Sequence, residues 1–314
     1  MPGTHPGTHP GRHVSRRVRQ GLAGLVAAGT AAVALVAAAP APPSTASAPV
    51  GGAEVTCTSQ QPGLAARLSQ DIAGALRGRP GSSALALYDR PTATSCTFRE
   101  GASFDSASVV KVTVLGTLLR TAMEEHRALT PREVDLTTAM ITKSDNAATD
   151  TLWQQVGHQN VQHFLTLAGM AHTVPAPDGH WGETRINAAD ELRLLSLLTS
   201  DNPVLDRNAR AYALGLMNRV VPDQRWGVPA GAPATATVQL KNGWLEGATD
   251  GWRVHSIGAF TGGGHDYGIA VLSSGDPAMQ DGVTTIEAAA RVIHRDLNPP
   301  NAASPAFSSS AASR

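Results

Sequence analysis

Apolar residues recur every four positions at Leu64, Leu68, Ile72 and Leu76, and Gly78 and Pro80 close the run. This spacing predicts an amphipathic helix over residues 62–78. Residues 83–88 and 94–99 read as two strands around the turn Asp89-Arg90-Pro91-Thr92. The long apolar run 112–123 then predicts a buried helix ending near His126. Leu129-Thr130-Pro131-Arg132-Glu133-Val134 is a helix start: Thr130 caps, Pro131 suits the first helical position, and Glu133 completes a capping box. That helix ends at Ser144-Asp145-Asn146, and a second helical pattern, 147–156, begins at once, so the triplet sits in a tight joint; residues 164–167 continue the helical pattern. Residues 170–185 are rich in Pro, Gly and His without periodicity and read as a surface loop. Asn187 caps a helix through Leu198, and another covers about 206–220. Three strand patterns follow at 235–240, 252–260 and 267–273, with Gly262-Gly263-Gly264 turning the last pair, before a closing helix over 283–297. The expected architecture is α+β: an antiparallel sheet flanked by helices, built from both ends of the chain, with an all-helical lobe inserted between.

The first residues carry a different pattern. Arg12, Arg16, Arg17 and Arg19 precede an apolar run over 22–39, and a Pro/Ala/Ser-rich stretch over 40–49 offers small residues for cleavage near Ala46 or Ala48. This is a signal-peptide layout and predicts a secreted or extracytoplasmic protein. Ser15-Arg16-Arg17 partly matches a twin-arginine signal, which leaves both export routes open. The Ala/Gly content makes the run weakly hydrophobic, which favours cleavage over a lasting membrane span, and no cysteine follows it for lipid attachment. The expected organisation is a processed segment over 1–48 and a catalytic domain over 49–298. Within that domain an α+β lobe covers about 60–106 and 235–298, and a helical lobe about 107–234. The Ser/Ala/Pro-rich tail 299–314 is expected to be disordered.

Composition narrows the partners. Equal numbers of acidic and basic side chains give zero formal charge, so there is no basic footprint for nucleic acid and no polybasic membrane patch. A small molecule or neutral polymer is the expected partner, and a monomer the expected state. No paired His/Asp spacing of a metal site occurs in the mature part, and neither metal nor cofactor is expected. Cys57 and Cys96, the chain's two cysteines, read as a disulfide in an exported protein.

The candidate chemistry lies at the start of the buried helix. Ser108 and Lys111 are three residues apart, so on a first helical turn their side chains share a face. A serine hydroxyl becomes a nucleophile at neutral pH when a neighbour takes its proton, and lysine does so where burial or a nearby cation lowers its pKa. The unpaired N–H of a first-turn residue adds half an oxyanion hole. The lysine census strengthens the pairing: of 25 Lys plus Arg only Lys111, Lys143 and Lys241 are lysine, leaving 22 arginines. Arginine supplies solvated charge but cannot be deprotonated in a protein, so lysine stands out where a base is wanted.

Ser108-x-x-Lys111, Ser144-Asp145-Asn146 and Lys241-Asn242-Gly243, in that order, resemble the three motifs of the penicillin-recognising serine enzymes, namely class A β-lactamases and penicillin-binding proteins. The resemblance spans nearly the whole mature chain. Residues 129–152 are similar to the corresponding helix pair of class A enzymes, and Lys241-Asn242-Gly243-Trp244 with Trp252 and Ser256-Ile257-Gly258 to exported serine hydrolases related to them. It implies a β-lactamase/transpeptidase-like fold and a reaction through an acyl-enzyme on Ser108, with Lys111 as base and Ser144 passing a proton to the leaving nitrogen. It implies that Asn146, Lys241, Asn242 and Gly243 bind substrate, with the backbone N–H of Trp244 as the second oxyanion donor. The implied substrate is a β-lactam or a peptidoglycan stem peptide. The same residues would serve a D,D-carboxypeptidase, or a penicillin-binding module of slow turnover.

Two departures bear on turnover. Asn242 stands where the family has Thr or Ser, and no loop glutamate with a following asparagine, the class A pattern for activating the deacylating water, occurs between 169 and 187; Glu183 is the nearest candidate. Acylation is therefore expected to outrun deacylation. Ser200-Asp201-Asn202 repeats the middle triplet but precedes Pro203 and reads as a turn; Lys143 reads as a solvated helix-end cation, Trp153 and Trp181 as packing residues, and Arg253 and His255 as possible partners of a substrate carboxylate.

Overall fold

The computed structural model describes residues 42–177 and 179–299. The expected export segment up to residue 41 and the tail from residue 300 lie outside the described residues. Strands β1 (Ser44–Val50) and β2 (Ala53–Ser59) form a hairpin whose turn residues Gly51 and Gly52 both have positive φ, the conformation a tight hairpin turn requires. Helix α1 (Leu64–Leu76) follows, then β3 (Ser82–Asp89) and β4 (Thr94–Phe98). After the helical segments described below, β7 (Thr237–Glu246), β8 (Trp252–Gly262), β9 (His265–Asp276) and α7 (Met279–Leu297) complete the frame. The sheet is antiparallel, in the order β1-β2-β4-β3-β9-β8-β7, with β7 at one edge.

Strand periodicity explains how this sheet holds two cores. Leu85 and Leu87 of β3 and Ile269 and Val271 of β9 face α1 and α7, while Ala84, Ala86, Ala270 and Leu272 face the helical lobe. Small alanines on the second face let helix α5 (Ala188–Thr199) lie directly against the sheet. Around it sit α2 (Lys111–Glu124), α3 (Pro131–Thr142), α4 (Asn146–Ala168) and α6 (Arg207–Asn218). Every residue of α2 from Lys111 to Leu119 is buried, so the apolar run is a central helix enclosed on all sides. Helix α3 begins with the expected capping box of Thr130 and Glu133. Helix α4 is broken at Gly157, whose φ of 72° and ψ of 154° are not helical, which separates the two helical patterns seen in the sequence.

The N-terminal boundary differs from expectation. Ser44–Val50 pairs along its whole length with β2, so the α+β lobe begins at Ser44 and not near residue 60, and cleavage at Ala46 or Ala48 would cut a strand. Its alternation, with Ala48 and Val50 turned inward, is carried by small residues that resemble a linker. The two cysteines are register partners on β2 and β4 and form a disulfide, as expected. No helix among the described residues is long and apolar enough to cross a membrane.

Candidate active site

The site forms where the edge strand β7 meets the entrance to α2. Ala107–Val110 is a 3₁₀ turn that runs straight into α2, so Ser108 is half-buried at the mouth while Lys111 is fully buried beneath it. A short two-stranded sheet, β5 (Phe104–Asp105) with β6 (Arg185–Ile186), delivers the chain to this turn. Gly243 explains how closely β7 can approach: a Cβ there would lie 2.9 Å from the backbone nitrogens of both Ser108 and Val109. Any side chain at that position would push the strand away from the nucleophile turn.

Lys111 Nζ donates to Ser144 O at 2.7 Å, to Asn146 Oδ1 at 2.7 Å and to Ser144 Oγ at 3.2 Å. Lys241 Nζ reaches the same Ser144 Oγ from β7 at 2.9 Å and donates to Asn242 O at 2.7 Å. Ser144 Oγ thus stands between two lysine ammonium groups. Burial lowers the Lys111 pKa from 10.5 to about 8, with Asp145 and Asp150 pulling the other way. Burial, and then the charge of Lys111, hold Lys241 well below its ordinary value. Ser108 Oγ makes no hydrogen bond to Lys111 in this arrangement, so the lysine must exchange one of its present acceptors for the serine before a proton can pass.

Two backbone conformations shape the centre. Ala107 (φ 46°) and Ser144 (φ 57°) are two of five non-glycine residues with positive φ among the described residues. This conformation costs about 1–2 kcal/mol for an L-residue, and it stands immediately before Ser108 and at the α3–α4 joint. At the joint it turns both the carbonyl and the hydroxyl of Ser144 toward Lys111. Asp145 faces away and caps α4, accepting from Ala148 N at 2.7 Å.

Six of the eight residues singled out from the sequence therefore meet through their side chains or by close approach of backbone: Ser108, Lys111, Ser144, Asn146, Lys241 and Gly243. Ser108 lies on the turn against which Gly243 packs. Asn242 has a different task from the one expected. Its Nδ2 donates to the carbonyls of Gln224 (2.8 Å) and Trp226 (2.9 Å), while Gln224 Nε2 donates to Lys143 O at 3.1 Å. An amide has two N–H donors where a Thr or Ser hydroxyl has one, so Asn242 can pin a segment that bridges β7 to the Ser144 joint. Trp244 turns its ring edge-on to Trp226, with centroids 5.8 Å apart.

Other expectations are corrected. Arg253 is taken up by Asp105 at 3.0 Å and Asp250 at 2.7 Å, which leaves it no free fork for a substrate. His255 is fully buried between Asp105 O and Ser273 N, and burial lowers its pKa to about 4, so it is neutral and committed. Glu183 is exposed in the 3₁₀ turn Trp181–Glu183, its carboxylate 3.7 Å from His180 Nδ1. Trp181, expected only to pack, lies with its ring centroid 4.7 Å from Lys111 Nζ. Trp153 does pack, in the core of the helical lobe. Lys143 is exposed, as expected. No group of three or more His, Cys, Asp or Glu suited to a metal occurs among the described residues.

Comparison with known proteins gives consistent results. A profile described as "Beta-lactamase enzyme family" matches residues 131–297, a span that holds the second and third motifs while Ser108 and Lys111 lie upstream of it. "Putative lipoprotein LppW" of Mycobacterium tuberculosis and Mycobacterium bovis is 27% identical over 201 residues, which cover 62% of this chain and 63% of the relative. The matched region thus spans less than two thirds of the length of these relatives. Among solved structures, PBP-A aligns with a TM-score of 0.64 at 19% identity, covering 74% of this chain and 96% of that one. A class A beta-lactamase from Bacteroides cellulosilyticus aligns with a TM-score of 0.65 at 17% identity, covering 74% and 98%. At these identities the structural likeness establishes a common fold.

Proposed function

Because the chain belongs to the beta-lactamase enzyme family, within the penicillin-recognising serine enzymes, we propose that it is an exported serine hydrolase acting on β-lactams or related amide bonds through a Ser108 acyl-enzyme. The observation that carries this reading is the pair of buried lysines converging on Ser144 Oγ, at 3.2 and 2.9 Å, beside the Ser108 turn. A half-buried hydroxyl held between two buried lysines is placed to shuttle protons. Export is supported by the signal-like first residues and by the lipoprotein name of the relative.

In this mechanism Ser108 Oγ attacks the amide carbonyl while Lys111 Nζ takes its proton. Ser144 Oγ then gives a proton to the departing nitrogen and is resupplied from the lysine side. The N–H groups of Ser108 and Trp244 hold the oxyanion; β7 is an edge strand, so its outer backbone groups are free of a neighbouring strand. Asn146 keeps Lys111 aligned, and Lys241 supplies positive potential for a substrate carboxylate. A lysine is a base only when neutral, and the neutral fraction of Lys111 grows as pH rises through about 8. Acylation should accordingly accelerate between about pH 7 and 9.

Deacylation needs a water held against the ester and a base to deprotonate it. Glu183, the one carboxylate on the turn packed against Ser106, is exposed and turned to His180. The proposed enzyme acylates readily and releases product slowly. The test is steady-state hydrolysis of a chromogenic cephalosporin alongside intact mass followed over time. An adduct that persists while turnover stays well below the ~10 per second typical of enzymes is the expected result. Fast turnover that collapses in Glu183→Gln would refute slow release and make Glu183 the base, and a chain that never gains mass would refute the acyl-enzyme itself. Peptidoglycan D,D-carboxypeptidase action is the second reading, favoured by the same lack of a positioned deacylating carboxylate.

A further inference from the structure

On the acyl-transfer reading the base is Lys111, and one more group lies against it. Its three donors go to Ser144 O, Ser144 Oγ and Asn146 Oδ1, and the indole face of Trp181 lies over the ammonium, 4.7 Å away. The indole is fixed at both ends. Trp181 Nε1 donates to Asp150 Oδ1 on α4 at 2.7 Å, and the Trp181 and Gly182 carbonyls each accept from Ser106 Oγ at 3.3 Å. Ser106 N donates to Thr184 O at 2.9 Å, so the turn carrying Trp181 is clasped to the turn carrying Ser108. We propose that Trp181 is a positioning residue that sets the protonation of Lys111, roofing its ammonium with a tethered aromatic face.

The charged groups acting on Lys111 are Asp145, the N-cap residue of α4, Asp150 on α4 and Lys241 on β7. Against this background the ring acts in two opposite senses. As an apolar body it excludes water and favours the neutral amine; as a π face it attracts the ammonium and favours the charged form. Overall burial lowers the Lys111 pKa to about 8 against the pull of Asp145 and Asp150, and the π face acts in the same direction as the aspartates. The two senses separate by substitution. Trp181→Ala admits water and should raise the Lys111 midpoint by about one pH unit. Trp181→Leu keeps apolar bulk but loses the π face, and should lower the midpoint by about half a unit. Trp181→Phe keeps both and should stay close to the parent value.

The test is direct because the chain has only three lysines. The ¹³Cε resonances of labelled lysine are followed against pH in the full chain, Lys111 is assigned through Lys111→Arg, and exposed Lys143 serves as an internal reference. Opposite shifts in the Ala and Leu variants, with Phe near the parent, are expected. Shifts of the same sign in Ala and Leu, or no movement in either, would overturn the proposal. The bulk-retaining Leu and Phe variants keep the test decisive if Trp181→Ala does not fold, since a rise or no change in Leu contradicts the π-face role. No substrate is involved, so a Ser108 that fails to react with penicillin would end the acyl-enzyme reading and leave this titration intact.

Discussion

The chain contains Ser-Asp-Asn twice, and the two copies have almost nothing in common beyond their letters. At 144–146 the serine is held at φ 57° between two helices, its hydroxyl receives bonds from Lys111 and Lys241, and Asn146 also accepts from Lys111. At 200–202 the side chains satisfy their own strand of chain. Ser200 Oγ donates to Ser196 O, and Asn202 donates to Leu197 O and Ser200 O while accepting from Val204 N and Leu205 N. Asp145 caps a helix, and Asp201 pairs at the surface with Arg210. The first copy faces across to another lobe and the second closes the end of α5. The difference lies in what each joint is aimed at, and buried lysines supply the target.

Substitutions at matched positions should pull the two copies apart. The largest effect is expected at the serines: Ser144→Ala should slow penicillin acylation by on the order of a hundred- to ten-thousandfold, the range of a lost proton-transfer group, and Ser200→Ala should leave the rate unchanged. Stopped-flow acylation with a fluorescent penicillin measures both, and equal rates would erase the distinction. Lys111→Arg should match Ser144→Ala in size, because it keeps charge but cannot accept a proton. Near-normal acylation in that variant would move the base elsewhere.

The asparagines should show a crossover. Asn146→Ala removes a bond to a charged group and should slow acylation roughly tenfold or more with little change in melting temperature, while Asn202→Ala should cost about 1 kcal/mol of stability and no activity. Thermal melts and acylation rates on the same samples decide it. The smallest effect is expected at the aspartates. Asp145→Ala loses a helix cap worth ~0.5–2 kcal/mol, whereas Asp201→Ala removes only the exposed partner of a buried Arg210 that keeps its bond to Leu205 O, and should change the melting temperature less.

Much of this was legible in the sequence because the elements that position the site have strong local signals. The capping box at Thr130, the every-fourth-residue spacing of α1 and the unbroken apolar run of α2 each specify an element without outside help. The reactive constellation was legible through rarity, since lysine is scarce in a chain that otherwise uses arginine. The first hairpin was not, because Ser44–Val50 alternates with Ala and Ser and its pairing is visible only from β2. The tasks of Asn242, Arg253, His255 and Trp181 were illegible for a related reason. Each is decided by a partner distant in the chain: Gln224 and Trp226, Asp105, Ser273, and Lys111. Residues 170–185, which include Trp181, did read as a surface loop, but nothing local says that this loop lies against the nucleophile turn.

The most direct test of the central claim is to locate the covalent adduct. The full chain and Ser108→Ala are treated with penicillin, digested, and mapped by mass spectrometry. The account predicts one penicilloyl group per chain, carried on the peptide that contains Ser108 and missing from the variant, whose melting temperature should be unaltered because one half-buried hydroxyl has been removed. An adduct on another residue, or equal labelling of Ser108→Ala, would contradict it.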